Sequence, residues 1–326
     1  MATTLWDTTG SDVVKALLAE RRAAGALASG LALTLVAVVD ERRVQEAEQA
    51  ATIAAAAHPC RLVMIVRHSI SADSRLDAEV QIGGRLGSTE AVVMRMYGRL
   101  GLHAESVVLP LLAPDAPVVT WWHGPPPAEI ATDALGVLAN RRITDCSLAT
   151  TPMDALRTRA SDFVPGDTDL VWTRATPWRA LLASALDGID GTAVSASVSA
   201  AVGNATAALL AGWLGSRLDV ATTLDETGGP GITGAEVVMR LRDGTDCPIR
   251  IERPDGVSAT FTRGDEDSRV LPLPRRELGD LLAEELRRMD PDPVYADALT
   301  HCTEGKVNTT PRSRILVWRD PALADT

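Results

Sequence analysis

Two long apolar runs bracket a single helix near the start of the chain, and they restrict the fold more than any other feature. Residues 31–39 (LALTLVAVV) and 61–66 (RLVMIV) are nearly continuous runs of apolar, largely β-branched side chains. A strand that met water on one face would alternate, so these runs fit parallel strands covered on both faces. Between them, ERRVQEAEQAATIAAAAHP has Ala-rich helix propensity and stops at His58–Pro59, where proline keeps the preceding residue extended. Strand, helix and strand in that order predict a Rossmann-like βαβ domain with a largely parallel sheet, hence an α/β fold.

The α/β texture continues. AEVQIGG and EAVVMRMYG read as further strands separated by Gly83, Gly84 and Gly87, HAESVVLPLLAPD as a helix broken by Pro110 and Pro114, and APVVTWWHGPPP as a strand ending in a stiff loop. NRRITD is a short strand or turn, MDALRTRASDF is helical, and TPWRALLASALD is a better helix with Thr176 as its cap and Pro177 at its first position. The second half differs. GTAVSASVSA suits a strand, NATAALLAGWLGSRL a helix with Leu209, Leu210, Trp213, Leu214 and Leu218 on one face, and TGGPGITG a turn. GAEVVMRLRDG, CPIRIERPDG and VSATFTRGD follow as hairpin strands at Asp243–Gly244 and Asp255–Gly256, and PRRELGDLLAEELRRMD as an amphipathic helix with Leu278, Leu281, Leu282 and Leu286 inward. At 326 residues two domains are expected. They are an N-terminal α/β domain over residues 1–186 and a C-terminal mixed α+β domain over 187–305, with a mobile or partner-bound tail over 306–326 that carries a short strand at 315–318.

Several function classes find no support. A net charge of −11 disfavours a general nucleic-acid binder. The longest apolar run is shorter than the roughly 20 residues of a membrane-spanning helix, and MATTLWDTTGSDVV has neither region of a signal peptide, so no membrane association and a cytoplasmic location are expected. Cys60, Cys146, Cys247 and Cys302 lack CxxC spacing, so no metal is expected. Gly83, Gly84 and Gly87 form no GxGxxG turn between a strand and a helix, and no GxxxxGK[ST] occurs, so no cofactor is expected. The five histidines, His58, His68, His103, His123 and His301, fall in no HExxH, and with no GxSxG, HRD or DFG the chain reads as no enzyme. His123, after Trp121 and Trp122 at a strand end, is either a ligand-side residue or part of a loop anchored by PPP.

With two Phe, two Tyr and seven Trp, the chain does not fill its core with rings, so Trp172, Arg174, Trp178 and Arg179 within eight positions call for explanation. They are either plugs at a domain junction or a binding hot spot, for which Trp and Arg are the favoured residues. Arg141, Arg142 and Asp145, with Asp167, Asp169, Arg174 and Arg179, likewise form either an Arg–Asp network or a clamp for a phosphorylated metabolite or an acidic partner loop.

The phrases LWDTTGSDVVKAL, SGLALTLVAVVD, HPCR, RLDAEVQIGG, SVVLPLLAPDAPVVTWWHG, RRITD, GDTDLVWTRATPWRALLASALD, LLAGWLGSRL, IERPDG and LAEELRRMDPDPVYADAL, in this order, resemble the OpcA family. These are glucose-6-phosphate dehydrogenase assembly proteins of actinobacteria and cyanobacteria, and the Arg- and Ala-rich composition suits the actinobacterial branch. The resemblance spans all but the last two dozen or so residues. It implies a non-catalytic partner that binds glucose-6-phosphate dehydrogenase and promotes its active form, feeding NADPH production in the oxidative pentose phosphate pathway. Residue chemistry, not the family, assigns Trp172, Arg174, Trp178 and Arg179 as partner contacts, Trp121 and Trp122 as a second patch, and Arg141 and Arg142 as an anion site. The alternative is a sensor of a sugar phosphate or nucleotide at the strand ends near Trp122 and Arg142, or of redox state. Cyanobacterial relatives are linked to thioredoxin-dependent control, but the cysteines here form no local pair.

Overall fold

The strand–helix–strand unit forms where the apolar runs place it. The computed structural model describes residues 2–25, 30–83, 90–303, 307 and 315–316. It begins with strand β1 (Ala2–Leu5) and helix α1 (Gly10–Ala23), then β2 (Leu33–Val39), α2 (Val44–Ala57) and β3 (Cys60–Arg67). Next come β4 (Arg75–Ile82), β5 (Glu90–Tyr97), α3 (Ala104–Val108), β6 (Val118–His123), α4 (Ala134–Leu138) and β7 (Arg141–Thr144). The chain continues through α5 (Pro152–Asp162), β8 (Asp167–Asp169), α6 (Leu170–Arg174), α7 (Thr176–Leu186), β9 (Gly191–Ala200) and α8 (Ala205–Leu218). After these lie β10 (Thr222–Glu226), β11 (Ile232–Leu241), β12 (Asp246–Glu252), β13 (Ser258–Arg263), β14 (Arg269–Pro272), α9 (Leu278–Leu286) and α10 (Pro293–Thr303).

These elements form two units. The first contains residues up to 144 and Glu277–Pro291, the second Asp145–Arg276 and residues 292–303. The division after residue 144, and the return of α9 to the first unit, differ from a boundary after residue 186.

In the first unit the strands run in the order β1-β4-β5-β3-β2-β6-β7. β5, β3, β2, β6 and β7 are parallel, with Leu33 opposite Cys60 and Thr34 opposite Val118, while β4 and β1 add antiparallel at one edge. All seven residues of β2 are buried, as a strand covered on both faces requires. One core of this unit gathers Val36, Val63, Ile65, Val92, Met94 and Trp122. Helix α9 packs on α2 through Gly279, where a Cβ would come within 2.5 Å of Ile53 Cβ, so the close approach needs a glycine. Leu281, Leu282 and Leu286 face inward as expected, and Leu278 is half-buried.

The second unit holds a sheet in the order β10-β9-β11-β12-β13-β14, antiparallel except for the β9–β10 pair. Both expected hairpins form. Gly244 and Gly256 take φ of +87° and +75°, and the Asp before each accepts amide bonds across its turn, Asp243 from Thr245 and Asp255 from Val257 and Ser258. Helix α8 covers the sheet through Leu210 and Leu214 and meets α10 at Gly212, where a Cβ would lie 2.3 Å from the Ala298 carbonyl oxygen.

Three features correct the sequence reading. Strands β1, β10 and β14 were not anticipated, because four or five mixed residues carry no readable period. Helix α7 takes Ala175 rather than Thr176 as its cap, and the Thr176 hydroxyl accepts from Arg179 instead. ITG, read as part of a turn, opens β11. Gly84, Gly87 and nearly all of the expected 306–326 tail, with most of its 315–318 strand, lie outside the described residues.

Candidate functional site

The Trp/Arg segment builds its geometry on two buried carboxylates. Asp145, whose side chain is fully buried, accepts both terminal nitrogens of Arg174 at 2.7 Å and also the Ser147 amide and hydroxyl. Asp169 caps α6 through the Val171 amide and accepts from the Cys146 amide. Burial alone would lower Arg174, but its bond to Asp145 and the charges of Asp145 and Asp169 outweigh it and hold the guanidinium above its ordinary range.

Each tryptophan of the segment is buried, and each carries an arginine on its ring. Arg179 stacks 3.4 Å from the Trp172 ring centroid, and Arg253 lies 5.0 Å from that of Trp178. Trp172 donates its indole N–H to Asp292 at 2.9 Å and packs against Tyr295. The indoles are 1% and 2% exposed, so in this segment the half-buried Arg174 and Arg179, rather than the rings, reach solvent.

The other sequence candidates are turned inward. Trp121 and Trp122 are buried on β6 with no acceptor for either indole N–H among the described residues, and His123 pairs with Glu46 at 2.9 Å. Arg141 donates through Nε at 3.0 Å and Nη2 at 2.5 Å to Glu285, and Arg142 donates to the Ala139 carbonyl; both guanidinium groups are buried. Both guanidinium groups thus spend donors on partners within the chain, Arg141 on Glu285 and Arg142 on the Ala139 carbonyl.

The second unit contains a cavity of about 430 Å³. Its lining includes Arg174 and Trp178 from the Trp/Arg segment, residues 201–206 at the start of α8, and Arg253, Arg275 and Arg276. Arg253 is 6% exposed and donates to the carbonyls of Leu273 and Ile232 at 2.9 and 3.1 Å, while its Nε–H has no acceptor among the described residues. Burial, then the charge of Arg275, pulls this guanidinium below its ordinary range. Sequence reading singled out Arg174 but not the other three. Their signals, the IERPDG phrase around Arg253 and the adjacent Arg275–Arg276, acquire meaning only when the hairpin and the loop before α9 come together.

Among the described residues no group of three or more His, Cys, Asp and Glu side chains could hold a metal ion, and no helix is long and apolar enough to cross a membrane. All four cysteines are free. Burial pushes the Cys60 and Cys302 thiols up to about 12, and burial followed by the charge of Asp169 raises Cys146 further. The thiolate is the reactive form, and at pH 8 a thiol titrating there is ionised in only roughly one molecule in ten thousand. Iodoacetamide at pH 8 should therefore modify half-buried Cys247 well before the other three, as mapped by peptide mass. Cys60 reacting at the same rate would refute this ordering.

Two family models match the chain in succession. The first describes the N-terminal domain of a glucose-6-phosphate dehydrogenase subunit and matches residues 51–161; the second describes the C-terminal domain of that subunit and matches residues 165–299. The chain belongs to the OpcA glucose-6-phosphate dehydrogenase assembly family. No curated protein matches it by sequence. Among solved structures it is similar to KijD10, a 3-ketoreductase from Actinomadura kijaniata in complex with NADP and TDP-benzene, at 12% identity over 83% of this chain and 95% of that one, with a TM-score of 0.41. It is also similar to the dehydrogenase MviM from Clostridium difficile, at 7% identity over 83% and 96% of the two chains and a TM-score of 0.42. An NAD-binding oxidoreductase from Klebsiella pneumoniae gives 10% identity, 84% and 94% coverage and a TM-score of 0.38. These distant likenesses carry no functional argument for a member of the OpcA family.

Proposed function

We propose that this chain is a non-catalytic assembly factor and activator of glucose-6-phosphate dehydrogenase, acting in the cytoplasm and supporting NADPH production in the oxidative pentose phosphate pathway. The observation that carries the reading is the pair of family matches, in order, over both halves of the chain. The physical mechanism is a population shift: a protein that binds the active form of an enzyme more tightly than the inactive form raises its population by the difference in affinity, and tenfold needs about 1.4 kcal/mol.

The docking surface in this reading centres on Arg174 and Arg179. Trp172 acts beneath it as a buried prop under Arg179, Asp145 holds Arg174, and the buried Trp178, Trp121 and Trp122 offer no free patch. Titrating the purified chain into its cognate dehydrogenase should give a saturable rise in rate or fall in KM. Arg179→Ala should raise the half-saturating concentration by about tenfold, as expected for loss of one charged interface contact. Binding without a kinetic change would leave assembly without activation; absence of binding would overturn the partnership.

A further inference from the structure

The cavity of the second unit is lined by four arginines and by no carboxylate. In a chain with 43 acidic and 32 basic residues, that lining runs against the balance of the whole. One of the four is neutralised, because Arg174 is held bidentate by Asp145. Arg253 is not. More than nine-tenths buried, it is bonded only to two carbonyls and lies over Trp178, its Nε–H has no acceptor, and no carboxylate is hydrogen-bonded to it among the described residues, the charge of Asp255 acting on it without direct contact. A buried cation in that state is costly unless an anion joins it. Arg275, exposed at the rim, donates to the Pro230 carbonyl and has no carboxylate hydrogen-bonded to it among the described residues.

A second feature of the same cavity is independent of the arginines. Helix α8 is 14 residues long and begins in the lining. Its cap, Asn204, accepts from the Ala207 amide, which leaves the Ala205 and Thr206 amides at the mouth of the helix with no intrahelical acceptor. Free amides at the positive end of a helix dipole form an anion cradle.

We propose that this cavity binds a small phosphate-bearing molecule, its phosphoryl group held between the first amides of α8 and the guanidinium groups of Arg253 and Arg275. The planar arginine fork suits phosphate oxygens, and Pro177, Ile232 and Leu273 give the organic remainder an apolar wall. A volume of about 430 Å³ suits a compact ligand. The depth of Arg253 favours a small molecule over an acidic peptide segment, whose backbone would have to enter with its side chains. The site belongs to the chain alone and does not rest on the dehydrogenase partnership.

Thermal unfolding of the full chain, titrated with inorganic phosphate or glycerol 3-phosphate at constant ionic strength, tests the proposal. Both should raise Tm saturably, glycerol 3-phosphate at the lower concentration. Arg253→Met should weaken both by at least about tenfold, the loss of one charge-assisted contact. Because Arg253 also ties two carbonyls, Arg275→Glu at the exposed rim provides the same test in a variant whose fold is not at stake. A response that grows without saturating, or one unchanged in folded Arg275→Glu, would overturn the site. Tighter binding of a polyglutamate peptide than of glycerol 3-phosphate would overturn the small-molecule ligand in favour of an acidic segment.

Discussion

Arg141→Ala should lower the folding free energy by about 3–5 kcal/mol, the range for breaking a buried ion pair from one side. The reason lies in what the substitution leaves behind. Arg141 and Glu285 have side chains only 4% and 5% exposed, and the guanidinium also donates to the Asp290 carbonyl at 3.0 Å. Alanine removes the cation but leaves the carboxylate in a place that water cannot reach. Replacing both partners with apolar side chains, Arg141→Met with Glu285→Leu, should restore most of the loss, since the desolvation of both charges disappears together. Urea denaturation of the two single variants and the double variant measures the coupling. A midpoint for Arg141→Ala within error of the parent would show that the pair contributes nothing.

The second large effect is expected at Trp172. Trp172→Ala should cost about 3–5 kcal/mol through the cavity it leaves and the contacts it removes. The ring fills a core with Phe163, Leu209, Tyr295 and Leu299, supports Arg179, and holds Asp292 by its N–H. Trp172→Phe keeps much of the volume and loses the donor, so about 1–3 kcal/mol is expected, softened because Asp292 still accepts from the Val294 and Tyr295 amides. Unfolding curves for the two variants separate ring volume from hydrogen bond. If alanine cost no more than phenylalanine, the packing account would be wrong.

These two sites show what the sequence made legible. Continuous β-branched runs announced β2 and β3, and Asp–Gly pairs announced the hairpins, because both signals act over a few residues. The destination of α9 was invisible: its leucine spacing marks a buried face and says nothing of which core receives it, and Glu285 lies 144 residues from the arginine it binds. The Trp/Arg cluster drew attention in the sequence as unusual chemistry. In the fold its rings are buried while Arg174 and Arg179 are half-buried, a distinction set by packing rather than composition. The cavity was legible only in part, since its four arginines come from three segments that no local pattern joins.

The return of residues 277–291 to the first unit sets an order of events on the ribosome. When β7 leaves the exit tunnel, Arg141 has no Glu285 and α2 has no α9 packed on it, and both wait until the whole second-unit sheet has been synthesised. A nascent chain released after residue 276 would expose a buried-type arginine and the flank of α2 at once, a natural mark for chaperones and proteases. Engineers who want the first unit by itself would need a spliced gene, with a linker carrying residue 144 directly to residue 277.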